Sequence, residues 1–463
     1  MKKHSSDIII IGAGAAGLMA AAGAAETLGK NAGSSVTVLE KMPRPGRKIM
    51  LTGKGRCNFT NAKPWNEFSG HIHPKPNFLK PAFHNLTSER MIAYLQDHGM
   101  ETIVERGDRA FPASHLASDV VDTLVRAATD SGAEIHCGKT VESISGYDQA
   151  SVQNESVPQE KETSIYEIRC TDGTVYTCRK LIVCTGGLSY PKTGSTGDGY
   201  AWAMEAGHSI RQLFPSLTAI VPKGYKDDSA NPDQAKNKAS KGHIDRSLPL
   251  SEIGESLCGN QLKNVNLSII IDGNMAQEEF GDLDFTDGGI EGPIGFKVSR
   301  KCVNAIMNGS KVAAVLDLKP AVDSEDLSVR ISRLWDEVSK DRRHSGKQYK
   351  ERFRIMLGNL LPSSLIPAFI RLNPNADHKT LARLLKNWKF DIAGYVGYER
   401  CVITAGGVSL DEVTAKTLES KIVPGLYFAG EVLDLDADTG GYNLQIAFST
   451  GYLAGISAAK AIR

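Results

Sequence analysis

The N-terminal segment alternates β-branched apolar runs with a stretch of small residues. The runs at 7–11 (DIIII) and 35–40 (SVTVLE) each predict a short strand. Between them, GAGAAG leads into a small, helix-prone stretch that ends near Gly29. This order of strand, helix and strand predicts the opening of a doubly wound α/β sheet.

The same α/β pattern continues toward residue 206. Helical periodicity predicts helices at 88–98 and 115–131, with short strands around Ile103 and Ile135. Three further strands, which form a meander returning to the sheet, are predicted at 166–170, 175–178 and 181–184. The polar residues 149–163 are expected to form a loose hairpin tip.

The pattern changes in the middle of the chain. The polar stretch 223–246 predicts a mobile loop, and apolar runs at 262–271 and 312–318 predict strands of an inserted β unit. Helical periodicity then predicts three helices, at 324–340, 347–357 and 378–388.

The sheet pattern resumes at Val402, with a strand at 425–429 and a final helix at 442–462. We expect this C-terminal segment to pack beside the first strand. The chain is therefore divided into a dinucleotide-binding domain at 1–206 and 402–463, an inserted β-rich domain at 207–322 and 389–401, and a helical subdomain at 323–388.

Composition narrows the functional classes only a little. The 463 residues are 41% hydrophobic and 23% charged, which is typical of a multidomain globular enzyme. The net charge of +1 disfavours a nucleic-acid partner, although a local basic patch stays open, and no apolar run is long enough for a membrane span. The eight scattered cysteines form no C-x-x-C pair, so we expect free thiols, no metal site and a cytoplasmic location. The sequence does not indicate an oligomeric state.

A glycine-rich turn between the first strand and helix is the first candidate site. Missing side chains let a backbone approach a pyrophosphate, and the following helix N-terminus offers unpaired N–H groups. The residues of this turn are Gly12, Gly14, Ala15, Ala16 and Gly17. Glu40 ends the second strand 23 residues past Gly17, where its carboxylate can accept both ribose hydroxyls, and Lys41 follows it. An acid there predicts FAD or NAD rather than NADP.

The next segment, GRKIMLTGKGRCNFTN at 46–61, is too polar and glycine-rich for a regular strand or helix. It predicts a loop that serves a flavin, although a solvated basic loop is the alternative. Its candidate phosphate ligands are Arg47, Lys48 and Arg56. Its candidate contacts to a polar ring edge are Thr52, Asn58, Thr60 and Asn61.

Cys57 lies between Arg56 and Asn58 in the same loop and is included in the candidate cofactor site. A neighbouring cation would favour its thiolate. We nevertheless prefer a packing role, because lone cysteines are usually small buried hydrophobic residues. Whether Cys57 is redox active stays open.

Three segments carry a resemblance to a known family: the loop at 46–61, CTGGLSYPKTGSTGDGY at 184–200, and GLYFAGEVLDLDADTGGYNLQ at 425–445. The chain resembles the FAD-binding flavoproteins that include BaiN-like enoyl reductases and aminoacetone oxidase-like enzymes. The resemblance implies a glutathione-reductase-type FAD-binding Rossmann domain, an inserted β-barrel-like domain and a small helical cap. It also implies redox chemistry on a small or medium organic molecule, although members share no single substrate.

The resemblance assigns further cofactor contacts. It places Thr185, Gly186 and Gly187 beside the adenosine half of FAD, and Gly430 and Glu431 beside the ribityl chain and pyrophosphate. Val141, where the meander begins, is included in the same site. The loop that enters the last helix beside the isoalloxazine consists of Gly440, Gly441, Tyr442, Asn443, Leu444 and Gln445. A helix N-terminus there would stabilise the negative charge of a reduced flavin.

The leading hypothesis is a FAD-dependent reductase or dehydrogenase that transfers hydride between flavin N5 and a small organic substrate. Because the sequence has a single dinucleotide fingerprint, NAD(P)H would bind only transiently as a co-substrate. The alternatives are an amine-type oxidase that releases hydrogen peroxide and a non-catalytic, redox-sensing flavoprotein. No residue is identified as catalytic.

Overall fold

A computed structural model describes residues 2–29, 35–146, 166–227, 242–344 and 346–462. The predicted hairpin tip at 149–163 lies outside these ranges, as does most of the polar stretch 223–246. The chain forms two compact units, the first comprising Met1–Phe214 with Val402–Arg463 and the second comprising Pro215–Cys401.

The first segment of unit 1 contains eleven strands, the last of which reaches two residues into unit 2. They are β1 (Lys3–Ile11), β2 (Val36–Glu40), β3 (Thr60–Asn61), β4 (Ile72–His73), β5 (Thr102–Glu105), β6 (Arg109–Pro112), β7 (Ala133–Cys137), β8 (Val141–Ser145), β9 (Tyr166–Cys170), β10 (Val175–Val183) and β11 (Ile210–Ser216). Its helices are α1 (Ala15–Leu28), α2 (Trp65–Phe68), α3 (Pro76–Asn85), α4 (Ser88–Asp97), α5 (Ala117–Asp130) and α6 (Asp198–Glu205).

Unit 2 supplies the next strands and helices in chain order. Its strands are β12 (Ile220–Pro222), β13 (Gln261–Ile271), β14 (Asn274–Thr286), β15 (Gly289–Glu291), β16 (Val312–Asp317) and β17 (Trp388–Tyr395). Its helices are α7 (Glu252–Leu257), α8 (Gly292–Met307), α9 (Ser324–Lys340), α10 (Tyr349–Leu357), α11 (Ile366–Leu372) and α12 (Leu381–Lys386). The chain then completes unit 1 with β18 (Ile403–Val408), β19 (Leu426–Phe428), β20 (Asp436–Ala437) and α13 (Tyr442–Lys460).

Unit 1 is built on a seven-stranded sheet in the order β7-β2-β1-β10-β9-β8, with β19 also paired to β10. β7, β2, β1, β10 and β19 run parallel, and β8 and β9 extend the sheet in antiparallel pairing. The apolar run of β1 is fully buried, as expected for a parallel sheet that is covered on both faces. The predicted Rossmann-type α/β fold is confirmed.

Two details of the predicted sheet are wrong. The separate strands expected at 175–178 and 181–184 are one strand, because the parallel ladder with β1 continues through Lys180, which pairs with Ile8. The C-terminal segment was expected beside β1, but its strand β19 pairs with β10 instead. The polar pair Arg179 and Lys180 resembled a break only because cross-strand pairing is invisible in the sequence.

The two ends of the chain meet where α1 packs against α13. A Cβ atom built on Gly451 would lie 2.1 Å from the carbonyl oxygen of Ala16, and one on Gly455 would lie 2.1 Å from that of Ala20. The helices therefore approach to backbone contact along α13. This contact holds the N-terminal turn and the C-terminal helix in one rigid frame.

Unit 2 contains a closed barrel in the order β12-β15-β14-β13-β16-β17. The predicted inserted barrel is thus present, although β14 was missed because its alternating polar residues lack β-branched side chains. The helix predicted at 378–388 is shorter, since Trp388 begins β17. Barrel and helix side chains share one hydrophobic cluster, and the division of this unit into a β-rich and a helical domain stays a prediction.

No helix in the described part of the chain combines the length and apolar character that a membrane span needs. Within the same ranges, no group of three or more His, Cys, Asp or Glu residues could hold a metal ion. All eight cysteines lie in described segments and are free thiols.

Candidate cofactor site

The glycine-rich turn is shaped by close backbone approach. Gly12 adopts a φ of +100°, and a Cβ there would lie 2.5 Å from the carbonyl oxygen of Cys184. A Cβ on Gly17 would lie 1.8 Å from the carbonyl oxygen of Gly12. A Cβ on Gly14 would meet nothing within 4 Å, so this residue faces open space. Because α1 begins at Ala15, its unpaired N–H groups border that space.

The turn opens into a cavity of about 1230 Å³, with the open solvent at its mouth included. More than half of the predicted site residues are brought together here. Those that line the cavity are Gly12, Gly14, Ala15, Ala16, Glu40, Lys41, Arg47, Lys48, Thr52, Val141, Thr185, Gly186, Gly430, Glu431, Asn443 and Leu444. They come from both ends and the middle of the chain, which only the folded unit makes neighbours.

The remaining predicted residues lie outside the cavity lining. They are Gly17, Arg56, Cys57, Asn58, Thr60, Asn61, Gly187, Gly440, Gly441, Tyr442 and Gln445. Lining residues missed by the sequence prediction include Leu39, Arg44, Lys139, Thr193, Gly194, Ser195, Asp198 and Trp202. The segment 193–198 lies inside a motif already recognised at 184–200, so its position in that motif was a usable signal.

Glu40 is the acid at the end of β2, and it is buried. Its Oε2 accepts a hydrogen bond from the Ala13 N–H, and its Oε1 accepts one from the Met42 N–H, each at 2.8 Å. Burial raises the pKa of Glu40, while these two N–H donors and the nearby Lys41 and Arg47 lower it in part. The carboxylate thus ties the glycine-rich turn to β2 and keeps further lone pairs for a ligand.

Five cations line the cavity, and they differ in how they are paired. Lys41 Nζ lies 2.6 Å from Asp198 Oδ2, and Lys139 Nζ lies 2.6 Å from Asp172 Oδ2. Lys48 bonds to Glu431. Arg44 and Arg47 have no ion pair among the residues that the structure describes, so their guanidinium groups are the ones free to meet an anion.

Glu431 anchors a polar cluster on the opposite wall. It accepts hydrogen bonds from Lys48, from the Ser189 hydroxyl and from the Thr404 N–H, the last at 2.9 Å. A Cβ on Gly187 would lie 2.5 Å from the Thr404 hydroxyl oxygen. Gly187 is therefore required for this packing, although it lies behind the cavity wall.

Arg56 was predicted to bind phosphate, but the structure turns it away from the cavity. It forms an ion pair with Glu105, and its guanidinium carbon lies 4.4 Å from the centre of the Phe111 ring. Arg56 also bonds to Nδ1 of His115. These partners come from strands and turns distant in sequence, which is why the loop composition alone suggested a free cation.

Two residues that were predicted to contact a polar ring edge, Thr60 and Asn61, form hydrogen bonds within the protein. The Thr60 hydroxyl donates to Gln445 Oε1 at 2.6 Å, and Gln445 Nε2 donates to the Leu86 carbonyl at 2.9 Å. Asn61 Nδ2 donates to the carbonyls of Gly107 and Gly440. These residues hold the loop at 46–61 against α13.

Cys57 is completely buried, and burial raises the pKa of its thiol to about 12. A thiol in this state is not ionised near neutral pH. The preferred packing role of Cys57 agrees with this environment.

The N-terminus of α13 follows two glycines with positive φ. A Cβ on Gly441 would lie 2.4 Å from the Thr60 carbonyl carbon and 2.9 Å from Asn58 Oδ1. Asn58 Oδ1 is buried and has no hydrogen-bond partner within the described ranges, and the same holds for the Thr185 hydroxyl, which faces Gly199 of α6.

This arrangement fits FAD. The glycine-rich turn and the start of α1 suit a pyrophosphate, Glu40 suits a ribose, and the guanidinium groups of Arg44 and Arg47 suit phosphate oxygens. The model of the HI0933-like protein Rossmann domain matches residues 6–457. The chain belongs to this HI0933-like family. The resemblance to FAD-binding flavoproteins is thereby confirmed, and the protein is a FAD-dependent oxidoreductase.

Curated relatives of this HI0933-like protein match along nearly the whole chain. A ribosomal RNA dihydrouridine synthase of Haemophilus influenzae is 29% identical, with 98% of this chain and 99% of the relative covered. A 3-dehydro-bile acid delta(4,6)-reductase of Clostridium scindens is 27% identical, with 97% and 98% covered. Among solved structures, the 3-ketosteroid-delta4-(5alpha)-dehydrogenase of Rhodococcus jostii aligns with a TM-score of 0.43 and 15% identity over 99% of this chain and 98% of that one.

Replacing Arg47 of this HI0933-like protein with glutamine is expected to weaken FAD binding about tenfold, because a free guanidinium that can bond to phosphate is lost. The loss should shrink at high salt, which screens charge. Lys139→Gln is the matched control, since Lys139 lines the same cavity but its ammonium is already bound to Asp172. Titration of the apoprotein by flavin fluorescence measures both variants. Equal losses in the two would contradict the role given to Arg47.

Proposed function

We propose that the protein is a FAD-dependent reductase that saturates a carbon–carbon double bond conjugated to a carbonyl. The names of the curated relatives motivate this substrate class. Forming dihydrouridine from uridine and reducing an unsaturated oxo-steroid both add one hydride and one proton to such a bond, which is two electrons and two protons in total. The single supporting feature in this chain is the cavity that runs from the glycine-rich turn to the start of α13.

Bound FAD supplies a centre that accepts and donates hydride. The start of α1, Arg47 and Glu40 would hold the dinucleotide half of FAD. Asn443 fixes the loop before α13 by bonding to Ala437 N and O at 2.8 Å each. The positive end of the 19-residue helix α13 would stabilise negative charge on a reduced flavin placed near it.

NAD(P)H is the proposed electron donor, and it would bind transiently because the sequence holds one dinucleotide fingerprint. Anaerobic mixing of the holoprotein with NADH and with NADPH should bleach the visible flavin absorbance with at least one of them. A cyclic enone added next should restore the colour and appear as its saturated product. Failure of both nucleotides to bleach the flavin would remove the reductase proposal.

The same experiment separates the competing functions. An amine-type oxidase would bleach with an amine and release hydrogen peroxide on admission of air. A redox-sensing flavoprotein would react slowly with every donor and acceptor. Either pattern contradicts a reductase of conjugated carbonyl compounds.

A uracil base in RNA is the second candidate substrate, and a basic helical segment at 330–354 favours it. This segment holds nine Lys and Arg residues against four Asp and Glu, in a chain whose net charge is +1. Its exposed cations without an ion pair among the described residues are Arg330, Arg333, Arg342, Lys347, Lys350 and Arg354. The half-exposed Tyr349 ring lies 4.8 Å from the Trp335 ring beside them. Cations next to accessible aromatic rings suit single-stranded RNA.

RNA and small enones can be compared directly as oxidants of the reduced holoprotein. If RNA is the substrate, unmodified RNA transcripts should reoxidise the flavin and acquire dihydrouridine, and the variant Lys347→Glu/Lys350→Glu should lose this reaction but keep the one with an enone. Reoxidation by the enone alone would leave the small-molecule substrate.

A further inference from the structure

A cluster of ionisable side chains, formed by His71, His73 and Asp438, lies beside the start of α13. His71 Nδ1 lies 2.8 Å from Asp438 Oδ2, and His73 Nε2 lies 3.5 Å from Asp438 Oδ1. The ring of His71 stacks on that of Tyr442, the first residue of α13, with 4.3 Å between ring centres. We propose that His71 donates the proton of the reduction and that Asp438 positions it.

The backbone holds this pair rigidly. β4 and β20 form a two-stranded sheet that pairs Asp436 with His73, and the Asp438 N–H donates to the His71 carbonyl at 3.0 Å. Asn443, which lines the cofactor cavity, donates from Nδ2 to the Asp438 carbonyl at 3.3 Å. The dyad is therefore built onto the same loop that leads from the cavity wall into α13.

The bonding pattern leaves one nitrogen of His71 available. Nδ1 is engaged with Asp438, whereas Nε2 has no hydrogen-bond partner among the residues that the structure describes, and the side chain is 28% exposed. A carboxylate on one imidazole nitrogen orients the ring and stabilises its protonated form, which is the arrangement of an oriented general acid. A purely structural contact would not require an accessible second nitrogen.

The ionisable groups that face the His71 ring are a carboxyl and a phenol. Asp438 is desolvated, which raises its pKa, but the bonds from His71 and His73 outweigh this and bring the pKa down to about 2. Its carboxylate is therefore ionised above that pH and faces both histidines. Tyr442 is the other ionisable group against the ring, and burial raises its pKa, so it stays neutral near neutral pH. The negative charges of Glu67 and Asp108 raise the pKa of Tyr442 further.

This role of His71 rests on the proposed reductase function and supplies the proton that the reduction needs besides the hydride. The conjugated substrate gains a hydride at its β-carbon from the reduced cofactor, and the resulting enolate takes a proton at its α-carbon from His71 Nε2. His71 is left neutral and regains a proton from water. The electron pair comes from the NAD(P)H donor class, so no further reductant is required.

Stopped-flow half-reactions test this role. In His71→Asn, reduction of the flavin by NAD(P)H should be unchanged, whereas reoxidation by an enone should slow by about 100-fold or more. Asp438→Asn should slow reoxidation less, because the imidazole stays in place but loses the carboxylate that orients it. His136→Asn is the control, since His136 bonds to the Tyr176 hydroxyl elsewhere in unit 1. Flavin content verifies that each variant folds.

A spectroscopic readout keeps the test independent of turnover. The ring N–H signal of His71 Nδ1, which lies 2.8 Å from Asp438 Oδ2, should be visible by NMR of the holoprotein and should move upfield in Asp438→Asn, because an amide oxygen is a weaker acceptor than a carboxylate. If the wild type oxidises NAD(P)H but reoxidation is equally fast in His71→Asn, the proposal is overturned. If the wild type accepts no conjugated carbonyl compound, the proposed function fails first, and an unchanged His71 ring N–H signal in Asp438→Asn then overturns the dyad as well.

Discussion

Replacing Gly14 with valine is expected to abolish FAD retention while the apoprotein stays folded. Gly14 has a φ of −82°, which valine adopts freely, and a Cβ there meets nothing within 4 Å. The substitution should cost the fold less than about 1 kcal/mol. The added methyl groups would occupy the space in which the backbone approaches the pyrophosphate, so FAD affinity should fall at least about 100-fold, equivalent to about 3 kcal/mol.

Flavin content after purification and calorimetric titration of the apoprotein measure this effect. Gly346→Val is the matched control, because Gly346 also faces open space without a positive φ but lies in unit 2. Normal FAD affinity in Gly14→Val would mean that the cofactor does not cross the glycine-rich turn, and the assignment of this cavity would fail.

Gly451→Val is expected to produce the largest loss of stability. Its Cβ would lie 2.1 Å from the Ala16 carbonyl oxygen, a backbone atom that cannot swing aside as a side chain can. Either α13 moves away from α1 or both helices distort, at a cost of at least about 3 kcal/mol. Because both helices border the cofactor cavity, FAD retention should fall together with stability.

Thermal unfolding and urea unfolding of the FAD-free protein isolate the packing effect from ligand stabilisation. Lys460→Val is the control, since it places the same β-branched residue at an exposed position of α13 and should cost only a few tenths of a kcal/mol. Similar midpoints for Gly451→Val and this control would show that the two helices do not depend on backbone contact.

The local patterns of the sequence predicted much of unit 1 correctly. The buried strands β1 and β2 contain short runs rich in β-branched residues, which predict strands. The glycine spacing of the turn at Gly12 can likewise be recognised without the tertiary structure. The α9 helix was placed at its observed bounds for the same reason, since its apolar residues recur at helical spacing. β14 was missed because few of its residues are β-branched or aromatic. α8 was missed although Pro293 stands in its first turn and Ile294, Val298 and Cys302 recur at helical spacing.

Side-chain partners were the least predictable part of the site. Arg56 and Arg47 look alike in the loop at 46–61, yet Arg56 is paired with Glu105, whereas Arg47 lines the cavity and has no ion pair in the described ranges. Glu40 was predicted to accept ribose hydroxyls, and its hydrogen bonds from two backbone N–H groups were not foreseen. Such partners are brought from distant segments, and residue type does not encode them.

The sequence alone determined the glycine-rich turn after β1 and predicted a dinucleotide there, because absent side chains and a following helix N-terminus are local properties. It also determined the parallel α/β class, since strand and helix periodicities are read over short windows. Only the tertiary structure decided which cations stay free, which glycines carry backbone contact between α1 and α13, and that His71 meets Asp438. These features join residues hundreds of positions apart, and their energies arise from proximity that exists only in the folded chain.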